Sequence, residues 1–339
     1  MMVVRPSRAS DLPGLLELAN LAGVGLTTLP DSEAVLAEHI SDSERSFARD
    51  VRQPKGERYL FVMEDLLTGQ IAGCAGLVGR VGGFDPFYSY ALKSHRKMSQ
   101  ALGVDFEVQA LHLIQNHKGP SEIGTLFMRP EQRKGGHGRL MSLSRFLFVG
   151  AQPHRFANEI IAEMRGNADL SKGSPFWDAV GRHFFDMAFV DADKRSASKK
   201  QFIADLMPQH PIYVSMLPSD AQAVIGQVHP ETEPAVRLLA QEGFVFGDEV
   251  DIFDAGPLYR AAKGEIRSIR DAEVMPFAKV IEGALDGPLM LLSNTDVDFR
   301  CCLGRVTTVE DGGVALNRGT ALALGLRIGA QVRMVSARP

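Results

Sequence analysis

The stretch that decides the fold is residues 129–140, RPEQRKGGHGRL, which connects two apolar runs. The run before it, IGTLFM, predicts a strand, and the run after it, MSLSRFLFV, predicts a helix. A loop between a strand and a helix places backbone N–H groups at the positive end of that helix. Glycines let a ligand approach this backbone closely, and the basic side chains add positive charge. The composition suits a pyrophosphate group, although the short pattern alone is equally typical of a basic surface turn.

The glycine spacing separates this loop from two other phosphate-binding loops. It does not form GxGxxG, and no GK[ST] ends it as in a Walker loop. The spacing Arg133-x-x-Gly136-x-Gly138 resembles the R/Q-x-x-G-x-G/A loop of the GNAT acyltransferase superfamily, which grips the pyrophosphate of coenzyme A. The preceding LFMRP is similar to the L-x-V-x-P run of the same superfamily. We expect acyl-CoA contacts from Leu126, Phe127, Met128, Arg133, Lys134, Gly135, Gly136, His137, Gly138 and Arg139.

The resemblance implies an α+β fold of the GNAT-like acyl-CoA N-acyltransferase type. Such a fold has a mixed, mostly antiparallel sheet flanked by helices, and one of its strands splays from its neighbour to receive the pantetheine arm. A later segment, PAVRLLAQEGFVF, resembles a GNAT helix end a second time. The chain therefore contains either one complete GNAT-like unit with added α/β structure or a second, degenerate GNAT-like half.

Composition excludes several classes of protein. The 339 residues are 45% hydrophobic, which supports a sizeable core, and the net charge of −4 lacks the basic excess of a nucleic-acid binder. The three cysteines form no CxxC pair, so we expect no metal site and no disulfide framework. No apolar run approaches the ~18 residues of a membrane span, and the N-terminus does not read as a secretory signal. We expect a soluble cytoplasmic protein that binds neither nucleic acid nor membrane.

Local patterns predict the order of elements. MVVRP is expected to be a strand, and a helix capped by Ser10 follows it. A hairpin is expected to turn at Thr68-Gly69, whereas residues 84–120 are more polar and are expected to be irregular. One helix is expected over SPFWDAVGRHFFDMAF (174–189), beginning at Ser174, and residues 191–200 are expected to form a charged linker or exposed loop. Three domains are predicted: 1–190 (acyl-CoA-binding), 191–255 (an α/β extension) and 256–339 (small and β-rich).

Several longer stretches together resemble the arginine N-succinyltransferase family. They include GLTTLP (25–30), IIAEMRG (160–166), SPFWDAVGRHFF (174–185), FIADLMPQHPIY (202–213), IGQVHPETEPA (225–235) and DIFDAGP (251–257). The resemblance runs to about residue 257 and is looser beyond it. It implies transfer of the succinyl group of succinyl-CoA, a co-substrate, to the α-amine of L-arginine in arginine catabolism, with no permanently bound cofactor. Relatives also act on ornithine, some as one of two paired subunits, so a homo-oligomer and a paired subunit both stay open.

His229 matches the catalytic histidine of this family, which is described there as a proton donor. The α-amine of arginine is mostly protonated near pH 7, whereas attack on a thioester needs the neutral amine. A histidine that titrates near neutral pH can take that proton and return one to the departing thiolate. His229 also precedes a helix expected to start near Thr232, whose positive end favours the neutral ring. Leu126 matches the succinyl-CoA contact of the family.

The substrate charges need partners of opposite sign. Arg165 is a candidate for the succinyl carboxylate because it follows the strand beside the cleft. Glu163, Asp251 and Asp254 are candidates for the substrate guanidinium, and each is equally typical of a surface ion pair. Two other functions stay open: a CoA-binding or non-catalytic partner subunit, and a GNAT acetyltransferase that acts on another amine.

Overall fold

The computed structural model describes residues 1–22, 26, 28–83, 86–168, 173–196, 201–310 and 312–338. The strands are β1 (Met2–Pro6), β2 (Arg58–Asp65), β3 (Ile71–Val78), β4 (Phe87–Ser99), β5 (Val104–Asn116), β6 (Ser121–Met128), β7 (Glu159–Glu163), β8 (Ile212–Tyr213), β9 (Val245–Val250), β10 (Pro257–Ala262), β11 (Glu273–Ile281), β12 (Leu289–Asn294), β13 (Cys301–Arg305), β14 (Thr307–Thr308), β15 (Val314–Asn317) and β16 (Gln331–Ser336). The helices are α1 (Leu12–Ala22), α2 (Glu33–Ala48), α3 (His137–Ala151), α4 (Pro175–Ala179), α5 (Arg182–Phe185), α6 (Phe189–Ser196), α7 (Gln201–Leu206), α8 (Ser219–Val224), α9 (Glu233–Gln241), α10 (Arg267–Arg270) and α11 (Arg318–Ala323).

The strands join in one sheet, in the order β14-β15-β11-β16-β12-β13-β1-β2-β3-β6-β7-β10-β9-β4-β5-β8. Among the described strands, β6 with β7 and β11 with β15 pair in parallel, and the other pairs are antiparallel. This is the mixed, mostly antiparallel α+β sheet with flanking helices that the sequence predicts, and the GNAT-like fold class is confirmed.

Helices cover both faces of the central strands. In β2, Phe61 packs with Phe146 and Phe148 of α3, whereas the next residue, Val62, packs with the cluster of α1 and α2. Neighbouring side chains of a strand point to opposite faces, so a strand buried on both faces is apolar along its length. This explains the continuous apolar runs of β2 and β3, whose residues are mostly buried.

The helix end that resembles a GNAT helix a second time belongs to the same unit as the pyrophosphate loop. That segment forms α9 and the start of β9, and β10 pairs with both β9 and β7. The described residues therefore hold one GNAT-like unit with additions, which supports the first of the two readings of the sequence. Strand β10 lies within 256–339 yet is central to this unit, so the boundary expected at 256 does not coincide with an edge of the sheet.

The expectation of an irregular segment at 84–120 is wrong. Strands β4 and β5 form a long antiparallel hairpin, paired from Phe87↔Asn116 to Ser99↔Val104. Only its base is covered: Tyr90 and Leu111 are buried, whereas Leu102 and Phe106 near the tip are exposed. A ribbon solvated on both faces has no alternation of apolar and polar residues, so the pattern that identifies a half-buried strand is missing.

Three smaller expectations also need correction. Ser10 does not cap α1, because it lies inside a 3₁₀ turn at Ala9–Asp11 that precedes the helix. Ser174 does cap α4, accepting a hydrogen bond from the Trp177 N–H, but the helix ends at Ala179. Residues 191–196 of the expected linker belong to α6, whose apolar residues pack with Trp177, and residues 197–200 lie outside the described residues.

The C-terminal strands extend the sheet beyond β1. Strand β13 pairs with β1 through Val3↔Cys302 and Val4↔Cys301, and β11, β12 and β16 follow. Cys74, Cys301 and Cys302 are free and buried, and burial raises the pKa of each thiol. Within the described ranges, no helix combines the length and the apolar character that crossing a membrane requires.

Candidate active site

The two parallel strands at the centre of the sheet diverge. Strands β6 and β7 pair only at Ser121↔Ile160 and Glu122↔Ile161, whereas β6 stays paired with β3 as far as Met128. A register shift in the β3–β6 pairing accommodates Thr125, which has a positive φ of 53°. The edge of β6 that faces β7 beyond Glu122 therefore pairs with no described strand. This is the splayed strand that the sequence predicts.

A buried arginine beneath the splay supports the bulge. Arg145 of α3 is buried, and its guanidinium donates to the carbonyl oxygens of Gly124 (3.1 Å) and Ser142 (3.0 Å) and to the Ser142 hydroxyl (3.0 Å). Burial lowers the pKa of Arg145 to about 9. The sequence analysis missed this residue, although a lone arginine in the apolar run MSLSRFLFV was a signal that it has a specific partner.

The loop after β6 presents free backbone N–H groups. Gly135 and Gly136 adopt left-handed conformations with φ of 63° and 83°, and α3 begins at His137. The N–H groups of Gly138 and Arg139, in the first turn of α3, donate to no backbone carbonyl of the described residues. These donors point outward at the positive end of a 15-residue helix. Such an end is an anion-binding site.

The side chains of the loop differ in direction. Arg133 donates from Nε to the carbonyl of Met128 (3.2 Å) and lies over the Phe127 ring, 5.6 Å from its centroid. Lys134 is exposed, and the ring of His137 contacts the loop's own Gln132 carbonyl at 3.2 Å. Arg139 turns away and donates to Gln241 of α9 at 2.9 Å, which does not fit the contact expected of its side chain.

Two strand residues of the expected CoA contact set pack on opposite faces. Leu126 packs against the α3 side of the sheet, and Phe127 packs against the α1 and α2 side. Met128 is buried. A ligand along β6 would therefore contact the backbone of these residues, because their side chains are used for packing.

His229 is positioned by the segment that follows β7. Its backbone N–H donates to the carbonyl of Arg165 (2.9 Å), and Val228 forms a bridge with Gly166. Its Nδ1 accepts a hydrogen bond from the backbone N–H of Glu231 (3.3 Å). Because Nδ1 is an acceptor here, the proton of the neutral ring lies on Nε2, which leaves Nε2–H as the available donor. The expected helix near Thr232 is present as a 3₁₀ turn followed by α9.

A cavity of about 270 Å³ opens where β6 and β7 part. Gly124 and Thr125 line it from β6, and Glu163 lines it from the end of β7. Its wall also includes Arg80 and Thr28, the latter in the GLTTLP stretch, of which Gly25 and Thr27 lie outside the described residues. Four carboxylate side chains contribute to the wall: Glu122, Glu163, Asp193 and Asp251.

Burial changes the acidity of this carboxylate group. Burial, and then the nearby Asp251, raise the pKa of Asp193 to about 7. Burial also raises the pKa of Asp251, whose Oδ1 accepts the backbone N–H groups of Phe253 (2.7 Å) and Asp254 (2.9 Å). Asp193 is therefore partly protonated near neutral pH, and it becomes charged when a cation approaches.

Two candidates from the sequence lie outside the cavity wall. Asp254 accepts the N–H groups of Gly166 and Gly256, both at 2.7 Å, so it holds the turn beside His229 and does not fit a guanidinium contact. Arg165 lies 4.0 Å from the carboxylate of Glu231, which is itself 4.0 Å from His229 Nδ1. Arg165 thus shares a carboxylate neighbour with the histidine, and its charge also acts on Asp193 of the cavity wall by lowering the pKa of that carboxyl.

Comparison with known proteins identifies the family. The profile described as arginine N-succinyltransferase beta subunit matches residues 2–268, and the profile of its C-terminal domain matches residues 270–336. The chain is 39% identical over 335 residues to arginine N-succinyltransferase subunit beta of Pseudomonas aeruginosa, covering 98% of each chain. The chain belongs to the arginine N-succinyltransferase family. It is accordingly an acyl-CoA-dependent N-acyltransferase, as the sequence predicts.

Further relatives agree with this membership. An arginine N-succinyltransferase of Salmonella paratyphi B is 40% identical over 338 residues, covering 99% of this chain and 97% of its own. The solved structure of arginine/ornithine succinyltransferase subunit AI from Pseudomonas aeruginosa superposes with a TM-score of 0.90 at 36% identity, covering 100% of this chain and 99% of that one. The two family profiles meet near residue 269, which fits the position of β10 inside the first unit better than a boundary at 256.

Two residues of the cavity wall, Asp193 and Arg80, were not among the candidates that the sequence suggested. Asp193 lies in the segment expected to be a linker, and Arg80 follows a strand in a stretch without a recognisable motif. Their placement in one cavity depends on α6 and β3 meeting in the folded chain, which no local pattern encodes.

Proposed function

We propose that this arginine N-succinyltransferase family member transfers the succinyl group of succinyl-CoA to the α-amine of L-arginine, giving N2-succinylarginine and CoA. The observation that carries the proposal is that the glycine loop and the carboxylate-lined cavity lie along the same splayed strand, β6. The free N–H groups of the glycine loop lie beyond one end of β6, and the carboxylate-lined cavity lies at Gly124 and Thr125. A negatively charged donor and a positively charged acceptor would thus meet along this strand.

The donor is bound at the loop end. The N–H groups of Gly138 and Arg139 and the positive end of α3 favour the pyrophosphate, and Arg133 and Lys134 add positive charge. The unpaired edge of β6 offers backbone groups to the amides of the pantetheine arm. The thioester then lies near Leu126 and Thr125, at the entrance of the cavity.

The acceptor is bound at the cavity end. Its cationic side chain is attracted by Glu163, Asp193 and Asp251. A cationic group that replaces the proton of Asp193 gains the strong, charge-assisted hydrogen bonds typical of guanidinium and carboxylate. Because a relative is named for both arginine and ornithine, ornithine is the second acceptor to be tested.

The chemistry needs one proton donor for the leaving sulfur. The neutral α-amine attacks the thioester carbonyl, the C–N bond forms, and the C–S bond breaks. Nε2–H of His229 donates to the departing sulfur as its negative charge develops, and the sulfur takes up the proton that the new amide nitrogen releases, so the ring stays neutral. The hydrogen bond from Glu231 to Nδ1 keeps Nε2 in its donor state, which favours the proton-donor role of His229 over that of a base acting through Nδ1.

His229→Ala tests this assignment. We expect kcat to fall by about 10²- to 10⁴-fold, because that is the usual contribution of a positioned acid or base, with little change in either KM. Thiol release from succinyl-CoA in the presence of arginine or ornithine measures the effect. His183→Ala, at an exposed histidine of α5, is the matched control and should turn over at the parent rate.

The outcomes separate the alternatives. Equal turnover of His229→Ala and the parent would refute the proton-donor role. A parent enzyme that prefers acetyl-CoA to succinyl-CoA would refute the succinyl assignment. A parent protein that binds CoA but releases no thiol with either donor would indicate a non-catalytic subunit.

A further inference from the structure

Arg80 is an arginine without a partner in a cavity that contains carboxylates. It follows β3 and lines the cavity together with Glu122, Glu163 and Asp251. Its Nε atom is buried and makes no hydrogen bond, and its guanidinium forms no ion pair with any described residue. Its side chain is half-buried, so water does not fully solvate the guanidinium in place of a partner.

The other described arginines that are partly or fully buried have partners, which are carboxylates for some and carbonyl oxygens for others, such as Arg145 and Arg155. Arg5 binds Asp11 at 2.7 Å, Arg260 binds Glu249 at 2.6 Å, and Arg267 binds Glu242 at 2.7 Å. A guanidinium withdrawn from water is costly unless it is paired, and its planar fork matches a carboxylate. Arg80 has neither kind of partner among the described residues, so its guanidinium is available to a ligand, and a carboxylate is the group that its planar fork matches.

The position of Arg80 fixes which part of the ligands it meets. Strand β3 runs antiparallel to β6, with Gly73↔Met128 at the loop end and Val78↔Glu122 at the far end. Arg80 lies beyond Val78, so it is on the side of the cavity away from the pyrophosphate loop. This is the side where the acyl group beyond the sulfur and the acceptor come together.

We propose that Arg80 binds a substrate carboxylate and is a specificity-determining residue of the succinyl transfer. The inference rests on the proposed function, in which both substrates carry a carboxylate: the α-carboxylate of the amino acid and the terminal carboxylate of the succinyl group. Both offer the same chemistry to a guanidinium. Asp193 and Asp251 of the cavity wall attract the cationic side chain of the acceptor, so the cavity suits a zwitterionic, basic amino acid.

Arg80 fits this task better than Arg165. Arg165 lies 4.0 Å from the Glu231 carboxylate and outside the cavity wall, whereas Arg80 is unpaired and inside it. The succinyl carboxylate expected at Arg165 from the sequence is thus one of the two carboxylates that we assign to Arg80.

The test is Arg80→Met, which keeps the length of the side chain and removes the charge. Steady-state kinetics are compared for arginine and agmatine, which lacks only the α-carboxylate, and for succinyl-CoA and acetyl-CoA. If Arg80 binds the α-carboxylate, KM for arginine rises about 10- to 100-fold while agmatine is unaffected, as loss of a charge-assisted hydrogen bond implies. If it binds the succinyl group, the preference for succinyl-CoA over acetyl-CoA falls by a similar factor. Either result supports the proposal and shows which of the two substrate carboxylates Arg80 binds.

Unchanged preferences on both comparisons would overturn the proposal. Arg96→Met is the matched control, because Arg96 lies exposed on the β4–β5 hairpin and pairs with Asp105. Arg80→Lys keeps the charge and should recover part of the lost preference, and it replaces the Met variant if that variant fails to fold.

If the proposed function itself is wrong, the parent enzyme will transfer no succinyl group. Calorimetry then still tests the carboxylate contact, by comparing the binding of succinate and of arginine to the parent and to Arg80→Met. Equal affinities of the two proteins would refute the contact.

Discussion

At the scale of single residues, the site combines groups that local sequence marks with groups that it does not. His229 and the loop glycines lie in short patterns with a chemical meaning, so their candidates could be named from the sequence. Asp193 and Arg80 have no such pattern, because their significance is their burial in a shared cavity. Asp254 shows the reverse error: its charge suggested a ligand contact, but its oxygens are used by the N–H groups of Gly166 and Gly256.

Asp193 predicts how arginine binding depends on pH. Burial raises its pKa to about 7, so the group is neutral below that pH and charged above it. A cationic acceptor binds the charged form better, and we expect KM for arginine to fall as the pH rises from about 6 to about 8. Asp193→Asn should flatten this dependence and raise KM at the upper end. Asp296→Asn, at an exposed position of the C-terminal unit, should keep the parent profile.

The difference between the parent and Asp193→Asn profiles is the quantity to measure. The α-amine of arginine also loses a proton as the pH rises, but this affects both enzymes equally. Profiles that stay parallel would show that Asp193 does not bind the acceptor.

At the scale of elements, prediction succeeded where an element buries one or both faces. Strands β2 and β3 are buried and apolar, and α3 follows a glycine loop, so each of these elements has a recognisable pattern in the sequence. The hairpin β4–β5 was missed because most of its length contacts only its own two strands and solvent. The break in the helix after Ser174 was missed; Gly181 packs against the Trp177 ring four residues earlier, so closely that there is no room for a Cβ.

Gly136→Ala tests the loop as an element. Gly136 has a φ of 83°, and a Cβ there would lie 3.4 Å from Leu303, so alanine would be strained and would crowd β13. We expect KM for succinyl-CoA to rise several-fold while kcat at saturation changes little, because the loop binds the part of the donor remote from the reaction. Gly103→Ala is a matched control, since Gly103 has a φ of 64° at the hairpin turn with nothing within 4 Å.

Comparing Gly136→Ala with Gly103→Ala separates an effect on donor binding from the effect of backbone strain. Both alanines should cost about 1–2 kcal/mol of stability for the left-handed conformation, which thermal unfolding measures. Only Gly136→Ala should weaken binding of the donor. Equal KM values for the two variants would mean that the loop does not hold the pyrophosphate.

At the scale of the whole molecule, the C-terminal unit shares the core of the acyltransferase unit. Leu291, Phe299, Cys301 and Val335 belong to the same buried cluster as the residues of α3. The Phe299 ring lies 5.8 Å from Phe61 and 5.3 Å from Phe148, between the two units. The sequence suggested a separate small domain because its composition changes, but composition does not report which surfaces are buried together. A shared core indicates that the units unfold together.

Phe299→Ala tests this coupling. Removing a buried phenylalanine typically costs about 3–5 kcal/mol, because apolar burial is lost and a cavity remains. The single tryptophan, Trp177, lies in a different cluster, stacked 5.3 Å from Phe185 and 5.4 Å from Phe253. If the chain unfolds as one unit, Phe299→Ala lowers the urea midpoint reported by Trp177 fluorescence as much as the midpoint reported by far-ultraviolet circular dichroism. Leu322→Ala, at a leucine 71% exposed in α11, should leave both midpoints unchanged. A Trp177 midpoint that stays at the parent value while the dichroism signal splits into two transitions would show that the C-terminal strands unfold on their own.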